Sequence, residues 1–422
     1  VPSLALLIGK LVLLVGRLFG RRGSSFPGLV VERISPGFLA KQLGKLPGGV
    51  IVVTGTNGKT TTVKMIAELL GSPAEVLTNR TGANFTRGIA SSIVSSMSIT
   101  GKLSHRIAVF ELDEAWAVRF VQRFRPRGVV ITNVMRDQMD RFGEIDHTAR
   151  LLSGVVAAAT DFVVLNADDP RVREMAAAAQ APVTWFGVGP ALGEVFISDD
   201  ELYADVIDVD AKQAARPAPQ FVLEEVGEHG IVVQARDQRI DVRLSVFGSH
   251  NAQNATAALA AGDLAGVPLP SAVAALEGMQ AAFGRGEFID LDGQRILLQL
   301  VKNPGGFRYS LMDVGSLHPA EIVIAINDDY ADGRDVSWLW DVDFRGLARW
   351  PVTTTGTRAQ DMALRLEYDD VPVRAAVVDL GAALADVSAQ HPAGATIVIC
   401  ATYTAMFQMR DVLSTMTEVA RI

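Results

Sequence analysis

Short apolar runs alternate with helically spaced ones over most of the chain. Residues 50–53 form a β-branched run, VIVV, closed by a glycine-rich turn; residues 61–70 then place Val63, Ile66, Ala67 and Leu70 at helical spacing. The alternation continues through RIAVFE (106–111), GVVIT (128–132), DFVVL (161–165) and 181–186, with helical stretches between them. Such spacing predicts βαβ units in a mostly parallel sheet, with chemistry at the carboxyl ends of its strands. Residues 187–246 break the rhythm. There, 220–223, 230–234 and 240–244 alternate like antiparallel strands, and the Ala- and Pro-rich 211–219 reads as a surface loop.

A second α/β pattern begins near Arg295, with RILLQLV (295–301), EIVIAIN (321–327), PVTTTG (351–356), VRAAVVD (373–379) and TIVICATY (396–403). These runs suffice for a separate sheet, and a chain of 422 residues exceeds the roughly 250–300 at which one core stops growing. The fold class is therefore α/β. A lead-in (1–45) precedes a central domain with a mostly parallel sheet (46–284) and a C-terminal Rossmann-like α/β domain (285–422), with the junction near Ala282 to Arg285.

The run LALLIGKLVLLVGRLFGRR (4–22) has a membrane-like composition. As a helix its apolar part, 4–19, would be about 24 Å long, short of a hydrocarbon core of about 30 Å. Lys10 interrupts it, and Lys10, Arg17 and Arg21 recur at spacings that put them on one helix face. No small-residue cleavage site follows. A helix packed on its own domain, an interfacial membrane contact, and a signal or anchor are the readings this leaves open.

Composition narrows the partners. A net charge of −8 argues against a nucleic-acid backbone, so anionic ligands must be held locally. The one cysteine, Cys400, excludes an internal disulfide framework and any CxxC knuckle, and fits a reducing cytoplasm. Its place in the apolar run IVICATY reads as a buried structural thiol. The six histidines include no HExxH pair.

Candidate chemistry centres on VIVVTGTNGKTTT (50–62), a strand, a Gly-rich turn and a helix start. Gly55, Thr56, Asn57 and Gly58 let backbone N–H groups approach phosphate oxygens, Lys59 reaches the terminal phosphates, and Thr60, followed by Thr61, suits Mg²⁺. That combination predicts an ATP site, although Val53 stands where the general P-loop has its first Gly. Glu111 ends the next strand and could face the metal, or simply water. Asp137 and Asp140 share a face in MRDQMDRFGEID (135–146). LNADDP (165–170), GSHNAQNATAA (248–258) and FGRGEF (283–288) follow. Asn251 and Asn254, three apart, could read an adenine edge, with Asn251 alternatively a helix cap; Arg285 suits ribose or phosphate. Asp335 is, by itself, a loop carboxylate or cap among Asp332, Asp341 and Asp343.

The compact loop TGTNGKTTT resembles that of the Mur ligase superfamily, enzymes that form amide bonds through an acyl phosphate. With RDQMDRFGEID, VKNPGGF (301–307), DGRDVSWLWDVDF (332–344) and TGTRAQDMALRL (355–366), nearly the whole chain is similar to one branch, the MurT chains. Those serve as the synthetase subunit of lipid II isoglutaminyl synthase and pair with the class I glutaminase GatD. The resemblance implies ATP-dependent amidation of the α-carboxylate of D-glutamate in the lipid II stem peptide, to D-isoglutamine, with Thr60 and Glu111 on Mg²⁺. It also implies that Asp335 completes the partner's triad in trans, and that the protein works in the cytoplasm, with the inner face of the membrane in reach.

Two departures bear on this. Mur ligases that add amino acids have an aspartate and a histidine near the place of Lys302 and Asn303, which disfavours the alternative of a Mur or folylpolyglutamate-type ligase joining a free amino acid. Many MurT chains carry a four-cysteine zinc ribbon in the stretch corresponding to 187–246, where this chain has no cysteine. No zinc site is expected, and packing must hold that region together.

Overall fold

The computed structural model describes residues 4–18, 25–79, 86–136, 145–203, 209–227, 230–244, 248–279 and 285–419, with nothing given for the side chains of 17, 18, 202, 203 and 285. The chain divides into two compact units: Val1–Val134, Glu144–Leu244 and Ala252–Met279 form the first, and Met135–Gly143, Ser245–Asn251 and Gln280–Ile422 the second.

The first unit is built on a nine-stranded sheet: β1 (Val50–Thr54), β2 (Val76–Thr78), β3 (Ile107–Glu111), β4 (Gly128–Ile131), β5 (Phe162–Asn166), β6 (Val183–Val188), β7 (Phe221–Val226), β8 (Gly230–Ala235) and β9 (Gln238–Arg243). Their order is β2-β3-β1-β4-β5-β6-β7-β8-β9. Pairings from β2 to β7 are parallel, and β7-β8-β9 is an antiparallel meander. Every residue of β1 is buried, as expected of a parallel strand covered on both faces. One core packs Val50, Val52, Phe110 and Ile131 against helical residues such as Ile93, Phe120 and Leu152, with Phe110 and Phe120 edge to face at 6.3 Å. β2 is too short for a periodicity to predict it.

The cysteine-free stretch is held by more than the expected packing. Residues 209–215, read in part as loop, form the helix Val209–Ala215. From it the buried Lys212 donates to Phe196 O (2.7 Å) and to the Glu201 carboxylate (2.9 Å). Arg216 pairs with buried Asp168 and donates to Val188 O at 2.7 Å. Buried charges of this kind are tolerated because each is paired.

The second unit carries a six-stranded sheet: β10 (Arg285–Leu291), β11 (Gln294–Leu300), β12 (Glu321–Ala325), β13 (Val352–Thr355), β14 (Val373–Val377) and β15 (Thr396–Ala401), ordered β10-β11-β15-β12-β13-β14. All pairs are parallel except β10-β11. That hairpin turns through Asp292 (φ 50°) and Gly293 (φ 80°), the left-handed pair of a type I′ turn. Cys400 lies in β15, wholly buried, its thiol pushed up to about 12 by burial, so it is the inert structural cysteine its apolar run predicts.

Asp313, on the helix Pro304–Leu317, accepts from Ser249 N (3.0 Å) and Ser249 Oγ (2.6 Å) at the start of the helix Ser249–Leu264, with the His250 ring 3.9 Å away. Burial pushes its carboxyl up to about 6 from the ordinary 3.8. Because the folded value is the higher one, the linked stability is full below about pH 4 and is lost as pH rises through about 6, a change of about 3 kcal/mol. Asp313→Asn keeps an acceptor for the Ser249 N–H and cannot ionise. Urea denaturation of this variant should therefore show that wild-type loss of stability between about pH 4 and pH 7 flattened by about 2–3 kcal/mol.

Candidate active site

β1 ends one residue before Gly55 (φ +123°), and Gly58 (φ +83°) stands immediately before the helix Lys59–Leu70. Both angles lie in the region only glycine adopts freely, so these glycines are dictated by the turn. A Cβ on Gly58 would sit 2.2 Å from Asn254 Oδ1. Asn254 is thus packed directly on the loop, one residue from Lys59. Gly58→Ala should raise the KM for ATP at least about tenfold, because it needs both an unfavourable φ and displacement of Asn254. Steady-state ATP titration checks this.

Lys59 is buried, its Nζ donating to Gly55 O (2.7 Å) and Thr56 O (3.3 Å), with Asp113 at 3.4 Å and Glu114 at 3.7 Å. The ammonium is thereby folded back along its own loop. In parallel register, Val53 of β1 lies opposite Glu111 of β3, which brings the buried Glu111 to the strand end beside the loop. Its backbone is pinned by Asn79, whose Nδ2 donates to Glu111 O (2.7 Å) and whose Oδ1 accepts from Glu111 N (3.0 Å). Thr61 is buried, while Thr60 is partly exposed at the helix start.

On the other side, Thr132 and Asn133 follow β4 and hold Asn57: Thr132 Oγ1 donates to Asn57 O (2.7 Å) and Asn133 Oδ1 accepts from Asn57 N (2.9 Å). Thr56 N donates to Asn133 O at 2.9 Å. Asn133 and its neighbours are held in turn by LNADDP. Asn166 Nδ2 donates to Thr132 O (2.9 Å), and Asp169 accepts from Val134 N (2.6 Å) while capping the helix Pro170–Glu174. Asp169 is fully buried and its carboxyl is pushed up to about 6 by that burial. Asn79, Thr132, Asn133 and the cap at Asp169 are loop supports that the sequence alone does not reveal. Only TNV after a strand and LNADDP before a proline hinted at them, and their partners lie about 30 to 80 residues away in sequence.

The residues fit a nucleoside triphosphate with a divalent cation: an amide-lined Gly turn, a buried lysine and two hard oxygen donors, Thr60 and Glu111. Asn251 lies within the helix Ser249–Leu264 and is wholly buried, so it is not the cap. Arg285 opens β10, but its side chain, like Asp137 and Asp140 altogether, lies outside the described residues.

In the second unit, Asp332 is buried and accepts from Thr404 N (2.7 Å) and from the Thr404 hydroxyl, while Asp343 grips Arg345 at 2.7 Å. Asp335 and Asp341 are exposed. Hydrogen bonding to the Ser337 hydroxyl, and then to Ser337 N (2.8 Å), holds the Asp335 carboxyl below the usual range and keeps it anionic. Asn303 caps the helix Pro304–Leu317 through Gly306 N (2.8 Å).

Fold and loop together define a Mur-type ligase. The Mur ligase middle domain family matches residues 53–262, and the MurT ligase C-terminal family matches 300–406. MurF from Acinetobacter baumannii has the same fold, with a TM-score of 0.70 at 19% identity, covering 92% of this chain and 80% of that one. MurF from Thermotoga maritima, solved with ADP, gives 0.67 at 15%, covering 89% and 82%.

Among curated relatives, the "Lipid II isoglutaminyl synthase (glutamine-hydrolyzing) subunit MurT" of Streptococcus pneumoniae (strain ATCC BAA-255 / R6) is 30% identical over 98% of this chain and 97% of its own. The protein of that name in Staphylococcus aureus (strain COL) is 29% identical over 87% and 88%. The chain belongs to the MurT family and is a ligase.

Proposed function

We propose that this chain is the synthetase half of a glutamine-dependent amidating ligase that converts the α-carboxylate of D-glutamate in the lipid II stem peptide to D-isoglutamine. The observation that carries this reading is the buried Lys59, held at the carboxyl end of β1 between loop carbonyls and the carboxylates of Asp113 and Glu114, in a chain of the MurT family. A carboxylate oxygen of the substrate attacks the γ-phosphorus of ATP, and ADP leaves. Ammonia then attacks the acyl carbon and phosphate departs, leaving the amide. Lys59 would turn from Gly55 O and Thr56 O toward the transferring phosphoryl group and offset its developing charge. Thr60 and Glu111 would hold Mg²⁺, which supplies further neutralisation there. Asn251, Asn254 and Arg285 are assigned to the nucleotide, with Asn254 also packed on the loop it serves.

Ammonia would come from a class I glutaminase subunit like GatD, because the sole cysteine is buried in a strand with its thiol pushed far from the thiolate range. Asp335, exposed and anionic, would orient that partner's catalytic histidine and stabilise its charge. A lipid-linked substrate places the work at the cytoplasmic face of the membrane. Trapping tests the acyl phosphate. With ATP, lipid II and hydroxylamine but no ammonia source, the chain with its partner should yield the stem-peptide hydroxamate. ATP hydrolysis without hydroxamate would contradict the mechanism.

A further inference from the structure

The helix Leu4–Leu18 has two unlike faces. Its inner face is core: Ala5 and Leu6 are buried, and Gly9 comes so close to Val31 and Val94 that a Cβ there would meet a Val31 methyl at 2.5 Å. Its outer face carries Leu4, Leu7, Leu11, Leu14 and Val15, which remain between 43 and 69% exposed. At 100° per residue these five fall within about 100° of arc, so they form one continuous apolar stripe. An exposed stripe of this kind marks an interaction surface.

Charge indicates what covers it. The first 31 residues contain Lys10, Arg17, Arg21 and Arg22 and no acidic residue, a balance of +4, whereas the rest of the chain carries −12. By helical position Lys10 falls beside this stripe and Arg17, seven residues on, along the same edge; basic residues bordering an apolar helix face favour an anionic lipid interface. The fifteen-residue helix spans about 22 Å, too short to cross a bilayer, and its inner face is already committed to the core. A coiled-coil seam with a second copy would need three or four heptads, and this helix offers two.

We propose that the outward face of the helix Leu4–Leu18 docks on the surface of an anionic phospholipid bilayer and lies in its interface. The proposal adds a membrane-binding surface to the ligase reading and does not depend on the reaction, so its failure would leave that reading untouched.

The test is co-sedimentation of the full chain with vesicles of equal parts phosphatidylglycerol and phosphatidylcholine, compared with phosphatidylcholine alone and with Leu7→Gln/Leu11→Gln. Both substitutions are at exposed positions, and circular dichroism and ATP hydrolysis should match wild type. Wild type should bind the anionic vesicles, weaken with added salt, and lose roughly tenfold or more in partitioning when both leucines are replaced. Absence of wild-type binding, equal binding by the double variant, or equal binding to neutral vesicles would each overturn the proposal. So would a wild-type dimer, seen by light scattering, that the double variant dissolves, since the stripe would then cover a second copy.

Discussion

Lys59→Ala should lower ATP-dependent amidation by about 10²- to 10³-fold, whether ammonia comes from glutamine or from added ammonium. The size follows from the position of the side chain. Its charge is buried at the start of a helix, where water cannot replace it, and two neighbouring carboxylates would then face the phosphates without it. The same variant should still bind its glutaminase partner. A scaffold that merely positioned the partner would lose nothing, so unchanged product formation in a coupled assay would remove the catalytic role of the loop.

Asp335→Asn should separate the two halves of the reaction. Glutamine-supported amidation should fall by up to about 10⁴-fold, the effect of removing the carboxylate that sets a histidine tautomer, while ammonium-supported amidation is spared. The structure makes the substitution mild for this chain itself, because Asp335 is exposed and an asparagine oxygen can still accept from Ser337 N. Parallel initial-rate measurements with the two nitrogen sources check this. Loss of both would assign Asp335 to the synthetase site instead, and loss of neither would direct attention to the equally exposed Asp341.

The strand, glycine turn and helix start over 50–62 are legible because each part is local. Residues 50–53 are buried on both faces and so read as an unbroken apolar run, and the glycines are fixed by φ at Gly55 and Gly58. What surrounds the loop is not local. Asn79, Asn133 and Asp169 act on backbone groups far along the chain, and ordinary polar residues at strand ends carry no mark of that. Asn254 illustrates both sides: its helical spacing from Asn251 pointed to a nucleotide role, but its packing on Gly58 is a tertiary fact.

Elements failed for comparable reasons. β2 has three residues, below what alternation can register. β10 precedes the expected second pattern and is joined to β11 through Asp292 and Gly293, a hairpin turn. The helix Val209–Ala215 is held in place by Lys212 reaching Phe196 O and Glu201, contacts its Ala- and Pro-rich sequence does not advertise.

The most direct test of the central claim is mass spectrometry of lipid II incubated with ATP, glutamine, this chain and its co-purified glutaminase. The account predicts a shift of the stem peptide from acid to amide mass, located at the α-carboxylate of D-glutamate and dependent on both ATP and this chain. ATP hydrolysis with the stem peptide unchanged, or a peptide bond to a free amino acid formed by this chain alone, would contradict it.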